Sequence, residues 1–330
     1  MKAAVFSILF LIFFSCSHEK NIKKRIDANP SLIYDSIESR MPGNLLITND
    51  YLLWTDPLSA DNYLHIIDLK TNREICSMID IGEGPNEYIQ PNIAYADDNK
   101  IIIHDIKKAV YLSLDSVAIG NKTTEILNIN DIQEVDRCIE IDYNKILTLN
   151  THKEKPFQIN NYEFGEYPFK DVHNNYDVSQ GNIAYKKDSG YLVYATMSYP
   201  YIALYKNNNN EFELLWDKRG EMDYEIIKNN VILDKKRGGI SEIALTKDYI
   251  VTLERDREVD KTDVSTVGRD FNKLAQTLFV YNYNSELIKI VNFNLPILRI
   301  AGNPKKNIIY AIIVDDDFKI VKYNLQKLIS

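Results

Sequence analysis

A polar turn followed by a short aliphatic strand recurs six times along the chain, and no other feature narrows the possible folds as much. The copies occupy residues 49–54, 98–103, 143–148, 188–193, 247–252 and 305–310, and their first aliphatic residues are Leu52, Ile101, Ile146, Leu192, Ile250 and Ile308. The steps of 45 to 58 residues are close to the length of a four-stranded propeller blade. Further strand patterns flank the copies. Short ones precede them at 44–48, 182–185 and 241–245, and aromatic or β-branched ones follow at 63–68, 109–114, 201–206, 278–282 and 318–323. A fourth, beginning with Glu, runs over 74–79, 211–216 and 286–292. In the third repeat 137–141, 145–149 and 156–159 fit, and the fourth strand is placed at 164–169. The expected fold is all-β, a six-bladed β-propeller of four-stranded antiparallel blades over residues 31–330. The sixth repeat ends without its outer strand, and an unclosed ring would expose a long sheet edge. The strand-like segment 32–36 is expected to close it. No break in composition divides the repeats into two domains.

The 22 tyrosines, set among many Ile, Val and Leu, suit strands. With 39 basic against 47 acidic residues, a formal charge of −8, the chain has no general field to draw it to phosphate backbones, so no nucleic-acid partner is expected.

Met1 and Lys2 precede an apolar run over 3–14, followed by Ser15, Cys16 and Ser17. This is the anatomy of a secretory signal, and the run is well short of the ~20 residues a membrane-spanning helix needs. It resembles a bacterial lipoprotein signal, departing from it at Phe13 and Phe14, where such signals prefer Leu and a small residue. The resemblance implies a signal peptide over 1–15, lipidation at Cys16, and a tether over 16–30. Lys20, Lys23, Lys24 and Arg25 then read as a solvated tether that could also meet anionic lipid. Cys76 and Cys138 are too few for a disulfide framework and read as small buried hydrophobes.

Residues 81–88, Ile-Gly-Glu-Gly-Pro-Asn-Glu-Tyr, are similar to the turn motif of six-bladed NHL-like and TolB-like propellers found among lipoproteins of Bacteroidota. That resemblance implies a membrane-anchored protein of a Gram-negative cell envelope, periplasmic or on the outer-membrane surface, and transfers no catalytic residues. It also makes Ser36 and Ser116 resemble O-glycosylation sites of that group. Read from the residues, Gly82, Gly84 and Pro85 suit a tight inter-blade turn, with glycine permitting positive φ and the Glu87 carboxylate accepting backbone N–H groups. No helix with Lys and Ser or Thr follows, as a phosphate cradle would need.

In such a ring the loops from second to third strand, and from fourth strand to the next blade, share one face. The longest connections, 55–62, 80–91, 171–180, 217–239 and 254–276, all belong to it, and long loops often carry function. Tyr162, Tyr167, Tyr199, Tyr201, Arg237 and Arg255 are the expected ligand anchors there. The insertions at 217–239 and 254–276 have apolar spacing loose enough for short helices, which would cap the channel, face a partner or fold back on the disc. His104, His152 and His173 are the candidate metal ligands, though no paired short spacing supports them. The run Asp315, Asp316 and Asp317 reads as a solvated turn. No nucleophile elbow or ordered triad is present.

The expected function is a binding module for an envelope protein or a small or glycan ligand, acting as a monomer that touches the membrane by its lipid anchor only. No cofactor is assigned. The alternative is a metal-dependent lactonase or esterase with a divalent cation in the channel; a structural envelope component is the third possibility.

Overall fold

The computed structural model describes residues 24–97, 99–106, 108–127, 137–142, 145–209, 211–234, 238–256, 258 and 270–328. Two strands, β1 (Arg25–Asp27) and β2 (Ser31–Tyr34), precede the ring. Blade one is β3 (Leu45–Ile47), β4 (Tyr51–Thr55), β5 (Leu64–Asp68) and β6 (Arg73–Met78). Blade two is β7 (Asn92–Asp97), β8 (Lys100–His104), β9 (Ala109–Ser113) and β10 (Thr124–Leu127), with helix α1 (Leu114–Ala118) between the last two. Blade three is β11 (Arg137–Asp142), β12 (Lys145–Leu149), β13 (Phe157–Ile159) and β14 (Tyr162–Phe164). After helix α2 (Asn175–Ser179) comes blade four: β15 (Gly181–Lys186), β16 (Tyr191–Thr196), β17 (Tyr201–Asn208) and β18 (Glu211–Arg219). A separate hairpin, β19 (Tyr224–Ile227) and β20 (Asn230–Leu233), precedes blade five: β21 (Glu242–Leu245), β22 (Tyr249–Glu254), β23 (Thr277–Asn282) and β24 (Leu287–Asn292). Blade six contributes β25 (Ile297–Gly302), β26 (Ile308–Val314) and β27 (Phe318–Asn324).

The fourth strand of blade six is β2, which pairs antiparallel with β27 and closes the ring as expected. The fourth strand of blade three is the turn-proximal β14, not 164–169, because Gly165 leaves the strand at φ +87° with its backbone moulded over the Phe157 ring. Residues 25–27, within the stretch read as tether, run parallel to β24 as a fifth strand of blade five. Arg25 fixes them there by donating to Asp256 at 2.8 and 3.0 Å, with Glu258 at 2.7 Å.

The aliphatic triplets of the repeat follow from the packing. A blade sheet is covered on both faces, so its central strands are apolar at successive positions rather than alternate ones. Leu52 and Trp54 point into the seam with blade six while Leu53 points into the seam with blade two. Six apolar clusters among the described residues fill the six seams in turn. The polar turns recur because they clasp neighbouring blades. Asn99 accepts from the Asp50 N–H at 3.3 Å and donates to its carboxylate at 3.2 Å; Asn307 does the same to Asp248 at 2.9 and 2.7 Å.

At the turn of Gly82, Gly84, Pro85 and Glu87 the glycines serve close approach rather than positive φ. A Cβ on Gly82 or Gly84 would overlap the Glu87 carboxylate, which accepts the Gly84 N–H at 2.7 Å.

The seam closed by β2 carries its own polar tie. The Tyr34 hydroxyl donates to Glu74 at 2.9 Å, and the other Glu74 oxygen meets His65 Nδ1 at 3.0 Å, with the imidazole stacked on Trp54. Burial works against the Glu74 carboxylate, but bonds from His65 and Tyr34 outweigh it and hold its pKa below the usual range. Its contribution is present above the unfolded carboxylate pKa and lost as pH falls through the folded one. Glu74→Gln is therefore expected to cost about 1–2 kcal/mol in denaturant unfolding at pH 7, and less in acid.

Candidate channel-mouth site

The six inner strands β3, β7, β11, β15, β21 and β25 approach one another in order, with β25 against β3, and enclose a channel cavity of about 200 Å³. Each inner strand begins on the face that carries the inter-blade loops. At or within a few residues of that start, every blade supplies one polar side chain: Asn44, Asn92, Arg137, Asn182, Glu242 and Arg299. Below this girdle the wall is aliphatic, with Leu46, Ala94, Ile183, Ala184 and Ala301 among its residues.

The girdle is linked from blade to blade. Asn44 Nδ2 donates to Asn92 Oδ1 at 2.6 Å, Arg137 Nε to Asn182 Oδ1 at 3.4 Å, and Asn182 Nδ2 to the Ser241 carbonyl at 2.8 Å. Glu242 Oε1 lies 3.4 Å from Arg299 Nη1, and Arg299 Nε donates to the Gly43 carbonyl at 2.8 Å. Burial raises the Glu242 pKa although Arg299 and Arg137 both favour its charged form. His104, paired with Asn92 across β7 and β8, is buried against the same cavity. Desolvation, with help from Arg137 and against the pull of Asp105, lowers its pKa from 6.5 to about 4, so the imidazole is neutral at pH 7.

The structure does not gather the six expected anchors into one site. Tyr162 is half exposed at the turn between third and fourth strands, hence on the opposite face. Tyr167 is buried, its hydroxyl within bonding distance of the Asn150 and Lys153 carbonyls. Tyr199 packs between Phe169 and Tyr224, and Tyr201 is buried beside Tyr194. The Arg255 guanidinium donates to the Lys273 carbonyl. Arg237 and Cys16 lie outside the described residues. Nor do the three histidines meet. His104 lines the channel, His152 stacks on Tyr176 at 4.1 Å, and His173 bonds Asn229 through its backbone. Among the described residues no three His, Cys, Asp or Glu are placed to hold a metal ion. Ser36 is exposed and Ser116 lies half buried in α1.

Within the insertion read as loosely helical at 217–239, residues 224–233 form the β19–β20 hairpin instead. Ile226, Ile227, Val231 and Ile232 favour strands, and Lys228 and Asn229, both at positive φ, supply its two-residue turn. Sequence reasoning missed the girdle, yet a signal exists: its members stand 8 to 10 residues before the aliphatic that marks each repeat.

No protein-family profile matches the chain, and no curated protein matches it in sequence. Solved structures do share its fold. The crystal structure of regucalcin, a calcium-binding protein from Agrobacterium tumefaciens, gives a TM-score of 0.51 at 9% identity, over 91% of this chain and 94% of that one. The β-propeller domain of Cps50 (Swd1) from Myceliophteria thermophila gives 0.45 at 10% identity, over 88% and 99%. At such identity the regucalcin likeness establishes the fold and nothing about a ligand.

Proposed function

We propose that this protein is an envelope-anchored propeller lipoprotein that binds a small ligand at the long-loop mouth of its channel. One observation carries the reading: five of the six blades place a polar side chain at the same end of the inner strand, around an open cavity with aliphatic walls, with Arg299 of the sixth beside Glu242. Convergent polar groups over an apolar floor are the usual anatomy of a small-molecule site. A rigid disc can present them without rearrangement. The envelope location rests on the lipoprotein-like start with Cys16 and on the Bacteroidota-like turn at residues 81–88.

The hydrolase alternative needs a divalent cation in the same channel. A hard cation prefers several oxygen ligands with carboxylates among them. Among the described lining residues a single carboxylate, Glu242, stands near two guanidiniums, so these residues do not fit such an ion and no step is derived through one.

Native mass spectrometry with elemental analysis, on protein purified from an envelope fraction without chelator, tests the reading. A small-molecule adduct that is lost in Asn182→Leu is expected, together with an acyl mass that is lost in Cys16→Ala. Stoichiometric calcium or zinc, or an adduct indifferent to the girdle variants, would overturn it.

A further inference from the structure

We propose that the face opposite the channel mouth carries a second site, a shallow cleft between blades three and four that binds a neutral sugar unit of a glycan, with the Tyr162 ring as its platform.

The cleft forms where two turns between third and fourth strands meet. The β13–β14 turn contributes Asn160 and Asn161, the β17–β18 turn contributes Asn209, and the strands that follow contribute Tyr162 and Glu211. Both turns lie on the face away from the long loops, and the cleft shares no lining residue with the channel. Its aromatic part is built outward from the seam. Phe212 stacks on Phe164 at 4.6 Å and 16°, and Phe164 lies nearly parallel to Tyr162 at 5.6 Å and 15°. Phe164 is buried while Tyr162 is half exposed, so the row of rings ends at the cleft, its last ring steadied by a fixed neighbour.

Blade architecture does not call for that ring. The outer strand opens on Arg73, Thr124, Glu211 and Leu287 in blades one, two, four and five, and on Tyr162 in blade three. Turn geometry does account for Asn160 and Asn209, at φ +51° and +58°, a region that asparagine tolerates. It does not account for the polar groups gathered beside the ring. The Tyr162 hydroxyl, the Asn161 and Asn209 amides and the Glu211 carboxylate have no hydrogen-bonding partner among the described residues.

A sugar ring carries C–H groups on its faces and hydroxyls around its edge. The electron-rich face of an aromatic ring attracts the first. Amides, which donate and accept, and a carboxylate, which accepts from two neighbouring hydroxyls, satisfy the second. Charge selects a neutral sugar over an acidic one. Lys145 on the cleft wall lies 3.7 Å from Asp142 of its own blade, whereas Glu211 is in no ion pair among the described residues and repels a second carboxylate.

The test is titration of the full chain with maltose, cellobiose, lactose and a mannobiose, and with cellobiouronic acid as the acidic counterpart, read by calorimetry and saturation-transfer NMR. At least one neutral disaccharide is expected to bind, with saturation concentrated on the C–H protons of one ring, with no loss of affinity at raised salt, and more tightly than the acid. Tyr162→Ala is expected to weaken it about tenfold or more, as truncation of an aromatic anchor does, and Tyr162→Phe to retain most of it. Asn161→Ala, at an exposed turn position, should weaken binding without touching the row of rings. The salt, acid and saturation measurements use the wild type, so a misfolded variant leaves the test intact. No binding by any neutral disaccharide, or tighter binding of the acid, overturns the proposal. Sugar binding that ignores Tyr162→Ala and is lost in Asn182→Leu belongs to the channel mouth and overturns it too, leaving the mouth reading in place.

Discussion

Phe157→Ala is expected to destabilise the protein by about 3–5 kcal/mol, a large share of the roughly 5–15 kcal/mol that holds a domain together. Phe157 is fully buried on β13, and its ring is the centre of the seam between blades three and four. Phe164 lies 5.2 Å away in the same blade, while Tyr194 and Tyr205 of the next blade meet it edge-on at 5.3 and 5.4 Å. The surroundings are poorly able to collapse into the space left behind. Gly165 curves over the ring at positive φ, and the Tyr205 hydroxyl is engaged by the Glu166 N–H at 3.2 Å, so backbone and side chain are both pinned around it. Burial and the nearby Glu166 and Asp217 charges keep that hydroxyl protonated, its pKa pushed up to about 12. Denaturant unfolding should show a lower midpoint with an unchanged slope, and Phe157→Leu should fall between. A loss below about 1 kcal/mol would mean that this seam is not packed as described.

Blade three is also where the sequence was hardest to read, for a related reason. In blades one, two and four the second strand is a run such as Leu52, Leu53 and Trp54, apolar on both faces because both faces are seams, and such runs are conspicuous. Blade three has a three-residue outer strand, Tyr162–Phe164, whose Phe164 stacks on Phe212 and meets Tyr205 edge-on across the seam, so its cohesion comes from aromatic contacts rather than from length. Nothing local distinguishes Phe164 as the end of a strand from Phe164 as its beginning; the positive φ at Gly165 decides it. The hairpin at 224–233 was obscured because a handful of aliphatic residues fits either period, and the two-residue turn that settles the matter uses Lys228 and Asn229 rather than a glycine.

The candidate site escaped for a different reason. Tyrosine is a frequent binding residue, but here Tyr167, Tyr199 and Tyr201 fill space between blades and spend their rings on packing. The girdle residues are single polar positions ahead of apolar strands, and taken one blade at a time each looks like an ordinary strand start. Their meaning comes only from closure, which brings Asn44 beside Asn92 and Glu242 beside Arg299 across turns that separate them by 48 and 57 residues in sequence. Aligning the repeats on their marker aliphatics recovers that equivalence, so the position was legible while its assembly was not.

Acid is expected to separate the wild type from His104→Gln by about 3 kcal/mol between pH 6.5 and pH 4. The imidazole is buried beside Arg137, and its folded pKa of about 4 lies below its usual 6.5. Between those values the unfolded chain takes up a proton that the folded chain refuses, so stability falls as pH drops from about 6.5 and levels off below about 4. A displacement of this size corresponds to about 3 kcal/mol at 1.36 kcal/mol per pH unit. Glu242 works in the other sense. Burial raises its pKa, so the folded state binds its proton first and gains stability as pH falls toward the unfolded carboxylate value, which masks part of the histidine effect in the wild-type curve. The comparison with His104→Gln removes that term, because Glu242 titrates in both proteins. Asp105 and Arg137 stay in place in both, and the glutamine amide keeps a polar group at the channel wall without a proton to gain. Unfolding free energies at pH 7, 5.5 and 4 should therefore diverge steadily, with the variant less sensitive to acid. Parallel curves would show that His104 titrates near its ordinary value, in which case the channel mouth at pH 5 already carries one more positive charge than the girdle described here.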